Sequence, residues 1–465
     1  MALLLAALLG IYSPRDWRSY PSMDQIRCIS TSPTQLFVAV PKGVYVLDHN
    51  DYAYLRCLTE ADGIRDDVNL CAYNPSRAAL LVSASGHLYE YITATDLVAP
   101  LAPPFEEIRS IGIARDGAYF DTEKGLFKKH RTADLYTEIQ SAPAAVTWYG
   151  QRDSSRPEDY VFLTPYFVTD EQLATYPLTL VRRDRKLYVA AAGYGLLVYN
   201  SRLGIREAHV RLGPSGDARR VTRLDNRLWF LGNERMTVLD SAGGWQYFLT
   251  RPGDIALSGF RLLFGNVAQL DRNERMNAFL ADSGRLYIGT GRGLYVMGPD
   301  SRLTELLRTN RHINALLKLR DSILVGADEG LFLLEGDSLS SVVDPYGRVD
   351  WGVYDIARTR SGSTFFGTLG GIVSLDSAGT WQQYVPPGFD LSRPVRALAA
   401  TDSLVFFGSA TGISVLNTRN GSYTTIDQTN GLYAKDIIGL WADKGFLWIT
   451  SPGIVYRFDY TRTLR

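Results

Sequence analysis

The chain has 465 residues, 46% hydrophobic and 21% charged, a globular composition that excludes extended disorder. Lysine plus arginine and aspartate plus glutamate are equal at 49 each, so the cation surplus that a general nucleic-acid binder needs is missing. Three cysteines (Cys28, Cys57, Cys71) are too few for a disulfide framework, and nothing in their spacing requires Cys57 and Cys71 to pair.

Residues 2–11 are apolar or small. Ten helical residues span about 15 Å, half the hydrocarbon core of a bilayer, so this run does not cross a membrane. It has the length of a secretory h-region, and residues 1–12 are read as a signal-peptide remnant. The expected location is extracytoplasmic: periplasmic, secreted or on the cell surface. No later apolar run reaches 18 residues, so no membrane span is expected.

From residue 13 onward one pattern recurs: a β-rich run, a Gly, then alternating apolar residues. Clear copies are Gly43-Val44-Tyr45-Val46, Gly293-Leu294-Tyr295-Val296, Gly330-Leu331-Phe332-Leu333 and Gly412-Ile413-Ser414-Val415. Weaker copies centre on Gly86, Gly125 and Gly195, and Arg235 stands at one Gly position. The steps from Gly330 to Gly371, Gly412 and Gly453 are 41 residues each. A period near 40 residues of pure strand pattern means propeller blades. The predicted fold is an all-β β-propeller of about ten four-stranded repeats over residues 13–465. The Gly permits positive φ at a tight corner beside a neighbouring blade. The last repeat stops short of a fourth strand, and Asp16-Trp17-Arg18-Ser19-Tyr20 matches the fourth-strand segment Thr380-Trp381-Gln382-Gln383-Tyr384. Residues 16–20 are therefore expected to complete the last blade and to close one large ring, the alternatives being two rings of about five blades or a smaller ring with some repeats as accessory strands.

Two intervals exceed the period, placing insertions at about 142–178 and 250–275. The first contains Trp148, Tyr149, Tyr160, Phe162, Tyr166, Phe167 and Tyr176; the second contains Phe260, Arg261, Phe264 and Asn266. Long loops on a rigid scaffold carry binding sites, and exposed aromatics stack on sugars or anchor proteins. The alternative is that they pack the insertion onto the blades. The partner-binding candidates are Trp148, Tyr149, Tyr166 and Phe167, with Arg182 and Arg183 from the basic run 182–186. A second basic group is Arg219, Arg220, Arg223 and Arg227, and for both groups the choice lies between an anionic ligand and solvated turns.

No catalytic residue is assigned. The five histidines (49, 87, 130, 209, 312) lack metal-ligand spacing, and no G-x-S-x-G occurs, so no metal or other cofactor is expected. Paired carboxylates at a channel mouth would be the one enzymatic route, since glycoside chemistry needs two of them together.

The run Asn430-Gly431-Leu432, Ile437-Ile438-Gly439-Leu440, Leu447-Trp448-Ile449-Thr450 and Gly453-Ile454 resembles the two-component-regulator propeller repeat. Asp62-Gly63-Ile64, and Leu286-Tyr287-Ile288-Gly289-Thr290 before Gly293-Leu294, fit the same consensus. The resemblance covers most of residues 16–465 and implies an extracytoplasmic sensing propeller, often connected with glycan sensing. It extends to the propeller region alone, with no kinase region in the sequence. The expected function is a non-enzymatic binding or sensing module for a protein or glycan partner. The alternative is a propeller-fold lyase or glycoside-active enzyme using carboxylates at the channel mouth.

Overall fold

In the computed structural model the described residues are 16–462, apart from 66, 132–134, 154–155, 161, 164–166, 169–173, 225–226, 233–234, 250–254, 259–260, 265–275, 283, 299–302, 309–311, 386–391, 410–411 and 435. The stretch 1–12, Tyr166, Phe260 and Asn266 lie outside them. The strands form ten blade sheets, eight of them plain four-stranded antiparallel meanders, which agrees with the repeat count. Each third strand opens at or just after the repeat residue, from Gly43–Asp48 to Ile454–Asp459.

The second strand of a blade reads as an almost unbroken apolar run because both of its faces are covered by neighbouring blades. Thr364–Thr368 is buried along its whole length. The glycine that opens the third strand has a local cause. At Gly371 φ is +144°, and a Cβ would stand 2.8 Å from the carbonyl oxygen of Tyr384, the end of the same blade's fourth strand. The crowding comes from within the blade and not from its neighbour. The Asp/Asn-Gly-apolar motif is a capped turn between blades. Thr59 caps Glu60–Asp62 and Asp427 caps Gln428–Asn430; each turn ends in a left-handed glycine, Gly63 or Gly431, before buried Ile64 or Leu432.

The chain divides into two compact units, which replaces the expected single ring. Ser19–Gly216 is one; Asp217 onward, with the N-terminal residues through Arg18, is the other.

The first unit contains blades 1 (28–58), 2 (68–101), 3 (108–150) and 4 (177–210). Two features stop it at four. Blade 4 packs on blade 1: they share a core containing Val38, Tyr45, Tyr188 and Leu196, Lys186 Nζ donates to the Tyr52 hydroxyl at 2.7 Å, and Arg211 pairs with Asp24 at 3.1 Å. The segment after blade 4 is held there too, with Gly216 N donating to Asp24 Oδ2 at 2.9 Å. In addition, Thr147–Gly150 adds a fifth strand to the inner edge of blade 3 and touches the inner strands of blades 1 and 2. All three cysteines are free and buried, and the neighbour of Cys71 is Cys28, whose Sγ lies 3.2 Å from the Cys71 carbonyl oxygen.

The second unit contains blades 5 (220–249), 6 (276–308), 7 (313–342), 8 (355–384), 9 (398–426) and 10 (439–459). A hydrophobic cluster fills each junction from 5–6 to 9–10. Blades 10 and 5 meet through Thr450 Oγ1, which donates to Arg219 O at 3.0 Å, through an Arg223–Asp443 ion pair, and through an edge contact of Phe230 with Trp448. The 250–275 insertion contributes a hairpin, Ile255–Ser258 with Arg261–Phe264.

Blade 10 takes its fourth strand from the N-terminus, Trp17–Pro21, as the sequence match predicts. Trp17 is 8% exposed, stacks on Phe458 at 4.5 Å and donates from Nε1 to Asn430 O at 2.9 Å. Trp17→Ala is expected to cost about 3–5 kcal/mol, and deletion of residues 1–20 at least as much. Thermal unfolding followed by circular dichroism checks this; an unchanged midpoint in both variants would remove the strand's structural role.

Candidate functional site

The six inner strands of the second unit surround one channel. Their backbone register aligns one residue per blade at its upper end. Arg219, Tyr354 and Ile438 donate their N–H groups to Leu231, Gly367 and Thr450, while Asn277 and Asn314 sit at β-bulges. Arg396 supplies the sixth position. The bulges re-aim these two amides relative to a regular strand. Together with His312 and Asp328 from adjoining loops, the six residues line a mouth of about 480 Å³. Asp328 accepts from Asn314 Nδ2 at 2.7 Å. Arg219 and Arg396 are exposed and make no ion pair among the described residues. The mouth therefore presents two unpaired cations.

One residue deeper, Arg220 crosses the channel. Its Nη1 pairs with Asp355 Oδ1 at 2.7 Å, and Nη2 donates to Asn314 O and Tyr354 O at 2.9 and 2.7 Å. Asp355 is buried and its oxygens are engaged: Oδ1 also accepts from Ile356 N at 3.0 Å, and Oδ2 from Leu398 N of the next blade at 2.7 Å. Burial pushes its carboxyl above the usual aspartate range, against the opposing pull of Arg220. Below this bar lies a cavity of about 300 Å³ with mostly apolar walls, including Leu316, Ile356 and Leu398. Asp355 is the one carboxylate lining it, and Asp328, held by Asn314, is the one carboxylate lining the mouth above. Two buried donors beside this cavity, Asn277 Nδ2 and Trp441 Nε1, have no acceptor among the described residues.

The residues singled out in the first insertion lie in the other unit. Trp148 and Tyr149 are on the added strand Thr147–Gly150. Tyr149 is buried in the core shared by blades 1, 2 and 3, and burial raises its hydroxyl pKa. Trp148 is half-buried against Gly112, with the Arg152 guanidinium 5.1 Å from its ring. Tyr160 and Phe162 pack the insertion onto blade 4. Phe167 belongs to the short pairing Phe167–Val168 with Ala174–Thr175. Arg182 and Arg183 are exposed at the end of Pro177–Arg183, next to the turn into the following strand. Of the channel residues, the sequence flagged only the Arg219–Arg220 group. Asn314, Asp355 and Arg396 carry no motif; only the repeat register could have aligned them.

The fold and this axial channel define a β-propeller protein. No family model matches the sequence, and no curated protein is detectably similar to it. The chain is similar to the solved structure of PorZ, an essential bacterial surface component of the type-IX secretion system of Porphyromonas gingivalis. The identity is 14% and the TM-score 0.60, over 95% of this chain and 87% of that one. It is also similar to the extracellular domain assigned to a hybrid two-component system of B. thetaiotaomicron (15% identity, TM-score 0.42, 94% and 68% of the two chains). Virginiamycin B lyase from Staphylococcus aureus matches at 12% identity and TM-score 0.39, over 60% of this chain and 93% of that one. At these identities the likeness is one of fold. Among the described residues no helix is long and apolar enough to cross a membrane.

Arg220→Ala is expected to destabilise the second unit by about 3–5 kcal/mol by leaving Asp355 buried without its cation, and Arg220→Met with Asp355→Leu to recover most of that loss. The folded-state pKa of Asp355 is raised above its unfolded value, so the penalty is full at neutral pH and falls as pH drops through the folded pKa. Calorimetric melts of Arg220→Ala at pH 7 and about pH 4 should show the smaller deficit at the lower pH. Equal deficits would mean that Asp355 is not the source of the loss.

Proposed function

We propose that the chain is an extracytoplasmic, non-catalytic binding module whose channel mouth grips an anionic group on a protein or glycan partner. The observation that carries this is the gathering of Arg219 and Arg396, neither in an ion pair among the described residues, with the Asn277 amide and Tyr354 around one axial opening whose carboxylate, Asp328, is engaged by Asn314. Guanidinium and amide donors converging on one space fit a carboxylate, phosphate or sulfate. The single carboxylate below them is committed to Arg220 and two backbone donors, which favours binding over acid–base chemistry. PorZ, which shares the fold over most of both chains, is described as a surface component of a secretion machine, and this supports a surface-assembly role. The extracytoplasmic location rests on the apolar stretch 2–11 and on the surface or extracellular settings named for two of the similar structures. On the four-bladed unit, half-buried Trp148 and exposed Arg182 and Arg183 are a second, smaller partner-facing set in this reading.

Co-purification and glycan-array screens, run in parallel on the intact chain and on Arg219→Glu/Arg396→Glu, test the proposal. Capture is expected to weaken with added salt and to fall at least about tenfold in the variant, with the thermal midpoint unchanged. A partner captured equally well by both proteins would refute the assignment of the mouth.

A further inference from the structure

Of twelve large hydrophobic side chains exposed among the described residues, five lie in the loops that flank or join the strands of blades 7 and 8: Val343, Tyr346, Trp351, Leu369 and Val385. Contacts join their loops. Tyr346 donates from its hydroxyl to Trp381 O at 3.2 Å, and Arg348 Nη1 donates to Leu369 O at 2.9 Å. Val385 lies beside Gly371, two residues after Leu369. A contiguous apolar surface rimmed by polar residues marks an interaction site.

Trp351, 77% exposed, stands out, and its support is stiff. It ends the short turn Val349–Trp351, whose Val349 is fully buried. Buried Asp344 ties the turn down by accepting from Tyr346 N at 2.8 Å and from Val349 N at 2.7 Å. The exposure is thus presented by a wired loop. Large aromatics on stiff supports are the typical energetic anchors of protein interfaces.

The same loop leads into the channel mouth. Three residues after Trp351 comes Tyr354, which lines it. Leu369 bridges to Pro394, and Gly370 N donates to Arg393 O at 3.1 Å, so the patch also abuts the segment that carries Arg396. The apolar rim and the unpaired arginines form one surface. From Trp351 to Tyr354 the chain spans at most about 10 Å, or about three residues of extended peptide.

We propose that this rim is a docking surface for a polypeptide segment carrying an apolar side chain and, two to four residues away, a carboxylate. The apolar residue covers Trp351 and Val343, and the carboxylate reaches Arg219 and Arg396. The proposal rests on the anion reading of the mouth and names the class of partner. Aliphatic Val343, Leu369 and Val385, exposed on the linked loops that also carry Trp351, suit a side chain better than sugar hydroxyls. A second copy docked about a two-fold axis would set Arg219 and Arg396 against themselves, which disfavours self-association.

The test is selection of random peptides displayed on phage against the intact chain, followed by affinity measurement on variants. Enriched peptides should hold Asp or Glu two to four residues from Leu, Phe or Trp. Trp351→Ala should weaken them about tenfold or more, Trp351→Phe much less, and Arg219→Glu/Arg396→Glu at least about tenfold. Trp351→Ala should melt like the parent and keep its affinity for citrate, a probe of the mouth alone. Peptides without the acidic–apolar pairing, or equal binding to Trp351→Ala, would overturn the proposal. Loss of a captured glycan in Trp351→Ala with no peptide selected would make the rim a carbohydrate site instead, and conversion of an oligomer to monomers would make it a self-interface. Peptide binding lost in Trp351→Ala but untouched by the arginine reversals would overturn both the mouth reading and the acidic half of this proposal.

Discussion

A carboxylate buried in the middle of a propeller channel can stay ionised only if a cation reaches it. In the six-bladed unit Arg220 does so from blade 5, spanning to Asp355 on blade 8 and to two carbonyls of the strands and loops opposite. Arginine suits the task because its planar fork satisfies several acceptors at once and stays charged. Blade 9 contributes the Leu398 N–H to the same carboxylate. One ion pair therefore ties several blades together across the axis and stands between the mouth and the cavity below.

Around that bar the forces are ordinary. Each blade is too thin to have a core of its own, so its apolar faces are buried only against its neighbours, and the clusters sit at the junctions. The two units solve the problem of the axis differently. The six-bladed one leaves a channel braced by Arg220. The four-bladed one carries an added strand, Thr147–Gly150, against its inner strands, with Tyr149 in the core beneath. An aromatic-rich insertion thus serves packing at Tyr149, Tyr160 and Phe162, while an exposed tryptophan that breaks no repeat period, Trp351, faces solvent.

The mouth illustrates why a site can be invisible in a linear reading. Arg219, Asn277, Asn314, Tyr354, Arg396 and Ile438 are far apart in sequence and are of four different residue types. They converge because each occupies the same place at the head of an inner strand, and two of them are turned by bulges that depend on pairing with the next strand. Only the Arg219–Arg220 doublet stood out as charge, and its sequence neighbours Arg223 and Arg227 do not line the opening.

The sequence by itself determined what is local and periodic: ten blades, the strand order within each and the glycine at the third strand. It also showed that Trp17 belongs to the last blade, because a fourth-strand motif at the N-terminus answers a missing one at the other end. The tertiary structure alone decided how the blades partition. Four or six depends on whether a blade's outer face finds the next repeat or an earlier one, and that choice rests on long-range contacts such as Asp24 with Arg211 and Gly216. A repeat period records the size of a unit and carries no information about where the succession turns back on itself.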